Sequence, residues 1–282
     1  MMTTSEQQPT VALKTCAVVP AADMAVESGS PSANALCLFL ADYCATLLGC
    51  GATCMRMEKN LGRMAAAYGH KVEITIMPRH IHLSLTDSRG CAVTSIASVK
   101  ACGVSFNINT RLSELSWDIA DGKISFDDAR RKLAEIVASD PRNKWLELML
   151  VAVANASFCR LFGGDPAAMA IVGAATVAGY YLKLLLLAAK VDVRVVVMLC
   201  AFVSTVLGAT DMLFSIGSTP LVAVGSSVLY LVPGIPFLNS FSDMLNRHYI
   251  CAFSRFTDAV VLTCCLSLGL CGGMMLMNVG MF

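Results

Sequence analysis

The chain has 282 residues, 56% of them hydrophobic and only 15% charged, with a mean hydropathy of +0.66. A soluble domain carries about 25% charged residues, so a wholly water-soluble globule is excluded. A formal net charge of +1 with no Lys/Arg run argues against a nucleic-acid partner.

The charges are also unevenly placed. Residues 1–145 hold 15 of the 21 Lys+Arg and 14 of the 20 Asp+Glu, leaving six of each for residues 146–282. A half so poor in charge cannot cover itself with polar groups in water, whereas a lipid bilayer solvates it readily. The expected architecture is a membrane protein: a flexible N-terminal tail over 1–33, a cytoplasmic α+β domain over 34–140, and an all-α bundle of about five transmembrane helices over 141–282. The first stretch, MMTTSEQQPTVALKTCAVVPAADMAVESGSPSA, lacks a basic start leading into a continuous apolar core and does not read as a signal peptide.

From Asn34 the pattern turns helical, with ALCLFLADYCATLLG followed by TCMRMEKNLGRMAAAYG. Gly49 and Gly51 weaken the helix between the two stretches, and Gly69 provides a stop. Arg56 and Glu58 lie roughly 200° apart around a helix and need separate partners. Alternation follows: Val72, Ile74 and Ile76 share one face of KVEITIM, and Ile81, Leu83 and Leu85 one face of HIHLSLT. CAVTSIASV suggests a third strand. Two helices then close the domain. One runs to Gly122; the other is capped by Ser125, with Asp127 and Asp128 favouring its positive end. Pro141 breaks the chain before the membrane.

Chemistry-bearing motifs are sparse here. The thirteen cysteines include no CxxC pair and no zinc spacing. Cys50 and Cys54, four apart, read as small, buried, reduced side chains. His80 and His82 share one strand face and form either a metal pair or a solvated, partner-facing pair. No nucleophile motif, P-loop or GxGxxG is present, so neither an enzyme nor a bound cofactor or metal is expected.

Five spans can be read beyond this point, over 145–162, 167–189, 193–210, 217–232 and 259–281. With the domain in the cytoplasm, the inner flanks carry Arg142, Lys144, Lys190, Arg194, Arg247 and Arg255, and only Arg160 stands at the outer side. The C-terminus is therefore expected outside. The fourth span is short, rich in Gly and Ser, and ends in Pro233-Gly234-Ile235-Pro236. Gly/Pro-interrupted spans point to transporter binding sites, although such a turn also serves as a plain interfacial exit. Ionisable groups near the spans are few: Glu147, Arg160, Lys183, Asp192, Asp211, Asp243 and Asp258. Lys183 stands about 10 Å from the inner end of its helix by the 1.5 Å rise, within partial snorkelling reach. Asn239 is a candidate cap for a helix running to Leu245, and Asp243 a candidate proton carrier on it. Gly272 and Gly273 on the last helix suit close packing against a partner.

LVPGIPFLNSFSDML, SFCRLFGGDPAA and LLGCGATCMRMEKNLGRMAAAYG together resemble the threonine/serine exporter family over about residues 34–282, in the order of its larger, YjjP-like subunit. Pro233, Gly234, Pro236, Asn239 and Asp243 match the family's PG-x-P…Asp stretch. Phe162, Gly163 and Gly164 match its FGG turn, and Gly51, Ala52, Arg56 and Glu58 its Gly-Ala-x-x-x-Arg-x-Glu segment. The resemblance implies an inner-membrane secondary exporter of threonine and serine, or of dicarboxylates such as succinate, driven by the proton gradient. It also implies a small all-membrane partner subunit, with a homo-oligomer possible as well. The candidate pathway residues are then Asp243, Asn239, Pro233, Gly234, Pro236, Lys183 and Arg160. The alternatives are a membrane-anchored hydrolase or sensor in which the soluble domain is the active part, and a structural assembly partner.

Overall fold

Ser32 accepts the N–H of Ala35 at 3.2 Å and opens helix α1 (Ala33–Gly49). The link to α2 (Cys54–Ala67) turns at Gly51, whose φ of 81° favours glycine. These details come from a computed structural model that describes residues 31–99, 103–139, 143–214 and 216–279. Residues 1–30 of the N-terminal tail expected over 1–33, the break at Pro141 and the flank Arg142 lie outside the described residues.

Three antiparallel strands follow, β1 (Lys71–Ile76), β2 (His80–Thr86) and β3 (Ala92–Ser98), paired in the order β1-β2-β3. Alternation places Ile81, Leu83 and Leu85 inward, all essentially fully buried, and leaves His80 and His82 on the opposite face. Two more helices, α3 (Phe106–Ala120) and α4 (Phe126–Ala138), start at the caps Ser105 and Ser125. One core joins the inner sheet face to α1–α4. Leu36, Leu40, Tyr43 and Leu47 meet Met57, Leu61, Leu112, Leu115 and Ile136 there. Each such side chain contributes about 1.5–3 kcal/mol by burial. Tyr43 Oη is not orphaned: it donates to Leu112 O at 2.8 Å and accepts from Asn60 Nδ2 at 2.9 Å.

The apolar half starts with α5 (Lys144–Leu161), opened by the Asn143 side chain. Then come α6 (Pro166–Ala188), α7 (Val193–Gly208) and the short α8 (Thr210–Phe214), which prolongs α7. After α9 (Pro220–Ser226) and a single 3-10 turn at Leu229–Leu231, the chain forms α10 (Gly234–Leu245) and α11 (Tyr249–Leu276). Among the described residues, three stretches are long and apolar enough to cross a membrane: Pro166–Ala188, Val193–Phe214 and Tyr249–Leu276. A fourth is broken, with Pro220–Leu231 and Gly234–Leu245 meeting at 60°.

Three expectations change. The stretch 217–232 is not one α-helix: α9 ends at Ser226 and a 3-10 turn takes over at Leu229–Leu231. The last helix does not wait until residue 259. Nothing in YICAFSRFTD interrupts it, and Cys251 and Ala252 are buried. Nor is the small-residue face of α11 wholly open to a partner. Ideal Cβ atoms at Gly269 and Gly273 would lie 2.2 Å from Met198 O and 2.7 Å from Thr205 Cβ, so these glycines seat α11 on α7.

Candidate functional site

Two polar regions stand out. The first is a joint between the two halves of the chain. Asp243, on α10, is fully buried. Its Oδ1 accepts the N–H of Cys54, the first residue of α2, at 2.9 Å. Its Oδ2 lies 2.9 Å from Arg255 Nη1 as an ion pair, though without hydrogen-bond alignment. Arg255, from α11, also donates through Nη2 to Ala52 O at 2.7 Å, and Asn239 Nδ2 donates to Gly51 O at 2.7 Å. Cys251 enters the core of the α+β domain, its Sγ 3.3 Å from Ile76 O. Thus Gly51, Asn239 and Asp243, 188 or more residues apart in pairing, converge on the α1–α2 link. Asn239 is not a helix cap: α10 begins at Gly234, and Asn239 lies inside it. Arg56 and Glu58 do take separate partners, Asn109 Oδ1 at 2.9 Å and His248 Nε2 at 3.5 Å.

The second region surrounds the broken span. Tyr230, in the 3-10 turn just before Pro233, places its hydroxyl 2.9 Å from Ser204 Oγ of α7. Gly179 of α6 leaves room for this pair, since an ideal Cβ there would stand 2.1 Å from Tyr230 Oη and 2.2 Å from Ser204 Oγ. The Tyr180 ring lies 6.2 Å from that of Tyr230, and its hydroxyl donates to Glu147 Oε1 of α5 at 2.8 Å. Lys183 holds its ammonium 5.2 Å from the Tyr180 ring centroid. Deeper along the helices, Asn155 Nδ2 donates to Thr176 Oγ1 at 2.6 Å and to Ser226 O at 3.1 Å, where α9 ends. Asn155, Thr176, Ser204, Ser226 and Ser227 are all buried. In hydrocarbon such groups persist only when bonded to each other or to a watery cavity.

Elsewhere the candidates disperse. Arg160 is exposed and donates to Gly164 O at 3.1 Å, closing the turn after α5. Gly164 is required there, because a Cβ would press to 2.5 Å on Cys159 Sγ; Phe162 remains exposed. Asp165 caps α6 through Ala168 N and also accepts from Ser218 N. Sequence reasoning missed Arg255 as the partner of Asp243, and it missed Asn155, Thr176, Tyr180, Ser204 and Tyr230. A signal existed, since Thr176, Gly179, Tyr180 and Lys183 fall at i, i+3, i+4 and i+7, one face of α6.

The model of the family described as putative threonine/serine exporter matches residues 38–277, which take in both regions. The chain belongs to this family. Two relatives are each named a probable succinate transporter subunit YjjP. The one from Klebsiella aerogenes is 29% identical over 238 residues, covering 83% of this chain and 90% of the relative. The one from Escherichia coli K12 is 26% identical over 226 residues, covering 79% and 87%. No solved structure matches. The family and these relatives are transporters rather than enzymes, which removes the anchored-hydrolase alternative. This member of the exporter family is a multi-pass membrane protein.

Proposed function

We propose that the chain is the larger subunit of a proton-driven exporter of small dicarboxylates, working with a small all-membrane subunit in the inner membrane. In this reading the α+β domain faces the cytoplasm, five helical segments span the bilayer, and the C-terminus lies outside. The observation that carries the proposal is the broken span. A 60° break between Leu231 and Gly234 borders hydroxyls from α6, α7 and the 3-10 turn, with one cation, Lys183, beside them. An unwound segment next to buried polar groups suits a substrate site at membrane depth. The relatives' name supports succinate over threonine, and the word subunit in it supports a partner.

The test is efflux of labelled succinate and threonine from cells making this chain with and without the small subunit. Succinate efflux that needs both proteins and collapses with a protonophore is expected. Tyr230→Phe with Ser204→Ala should cut it by about tenfold, a loss of about 1.4 kcal/mol of transition-state stabilisation. Wild-type efflux in that double variant overturns the site, and threonine efflux alone overturns the substrate.

A further inference from the structure

A cleft on the α+β domain, outside the regions described above, has the makings of an anion site. It opens between α2 and α3, with a volume of about 510 Å³, inside the usual range for small-ligand pockets. Arg56, Lys59 and Arg63 project into it from α2, facing Thr110, Ser113 and Trp117 of α3. The spacing i, i+3, i+7 puts the three cations on one helix face. No carboxylate lines the cleft. Among the described residues none of these three cations belongs to an ion pair. Glu58, the nearest acid along α2, reaches His248 instead.

The guanidinium groups are nevertheless held in place, each by neutral partners. Arg56 Nη1 donates to Asn109 Oδ1 at 2.9 Å, and Arg63 Nη1 to Ser116 Oγ at 2.7 Å. Arg63 also stacks 3.5 Å above the Trp117 ring. Three like charges on one face repel one another and weaken the helix. Holding the two guanidiniums over a concavity, with the exposed Lys59 between them, prepares a site for negative charge. A planar guanidinium fork recognises a carboxylate with two parallel bonds, and Thr110 adds a hydroxyl on the opposite wall; the Ser113 hydroxyl already donates to Asn109 O.

We propose that this cleft binds a small organic dianion, a dicarboxylate of succinate's size, on the soluble domain. The inference rests on the proposed dicarboxylate substrate for its choice of ligand, but its test is independent of transport. The ligand would sit on α2, the helix whose first N–H is held by Asp243 of α10, so a bound dianion bears directly on the joint between domain and bundle.

Trp117 is half exposed at the cleft wall and is one of only two tryptophans in the chain. Its fluorescence, read in the full chain with Trp145→Phe in detergent, reports the site alone. Succinate is expected to give a saturable change that neither threonine nor inorganic phosphate reproduces at equal concentration. Arg56→Gln with Lys59→Gln should weaken the midpoint by at least about tenfold, as loss of charge-assisted bonds implies. Lys59→Gln alone, at an exposed position outside every ion pair among the described residues, keeps the fold and should still weaken binding by roughly threefold. No response to succinate, an equal response to phosphate or threonine, or an unchanged midpoint in both variants overturns the proposal. Efflux without cleft binding would sink this inference and leave the transport reading standing; cleft binding without efflux would do the reverse.

Discussion

Removing the charge of Asp243 tests the joint most directly. In Asp243→Asn the amide oxygen can still accept the Cys54 N–H, so α2 keeps its first bond. Arg255 loses its only acid among the described ion pairs, and its side chain is 18% exposed. Breaking a buried pair by deleting one partner costs about 3–5 kcal/mol. Arg255 retains its bond to Ala52 O and some contact with solvent, which places the cost near the lower bound, about 3 kcal/mol. For a chain of this size that lowers the melting temperature by roughly 6–12 °C. The assay is thermal unfolding of the detergent-purified protein, alongside succinate efflux measured across pH 6–8. Asp243→Asn with Arg255→Met should recover much of the loss, because the unpaired cation is then gone. A single variant that melts with wild-type protein but loses efflux would refute the reasoning. Asp243 would then act as a titrating group in transport and not as a structural clamp.

Other tests address other regions. Gly179→Val should abolish efflux and lower expression, since its first carbon would already overlap Tyr230 Oη and Ser204 Oγ; cellular efflux and membrane yield are the readouts, and a functional variant would mean the two hydroxyls are not packed there. Burial pushes the Cys37 thiol up to about 11, so near pH 8 it stays almost wholly in the unreactive thiol form, whereas Cys91 is exposed. Maleimide should therefore label Cys91 within minutes and Cys37 only after denaturation, as read by mass spectrometry of peptides. Reporter fusions after Ser139 and after Phe282 should report opposite sides of the membrane; the same side for both would sink the five-span topology.

Much of the α+β fold was legible because its signals are local. Strand alternation from Val72 to Leu85, the Ser125 cap and the Gly69 stop each act within a few residues, and each element formed where its pattern lay. The broken span was legible for the same reason, as proline removes donors wherever it stands. What could not be read is long-range. Nothing near Asp243 announces that its partners are Cys54, in a different domain, and Arg255, on the next helix. Asn239 looked like a cap because Asn favours that position, but a bond to Gly51 O across the chain holds it within the helix. In the bundle, Ser, Thr and Tyr were passed over as ordinary span residues, and only packing shows that Ser204 and Tyr230 meet over Gly179. Gly269 and Gly273 show the converse, a motif suited to association that is already used within the chain.

The presence of Cys251 in the core of the α+β domain has a consequence for biogenesis. Domains generally fold as units, the N-terminal one first, while the ribosome is still elongating. Here the domain is encoded first but lacks its last core side chain and its α2 clamp until residues 239–255 have emerged. Those residues appear only after the preceding apolar helices have entered the bilayer. The domain therefore cannot complete this core until insertion is almost finished. A chain stalled or misinserted in the membrane would thus carry an incomplete α+β domain, a mark that quality control could find.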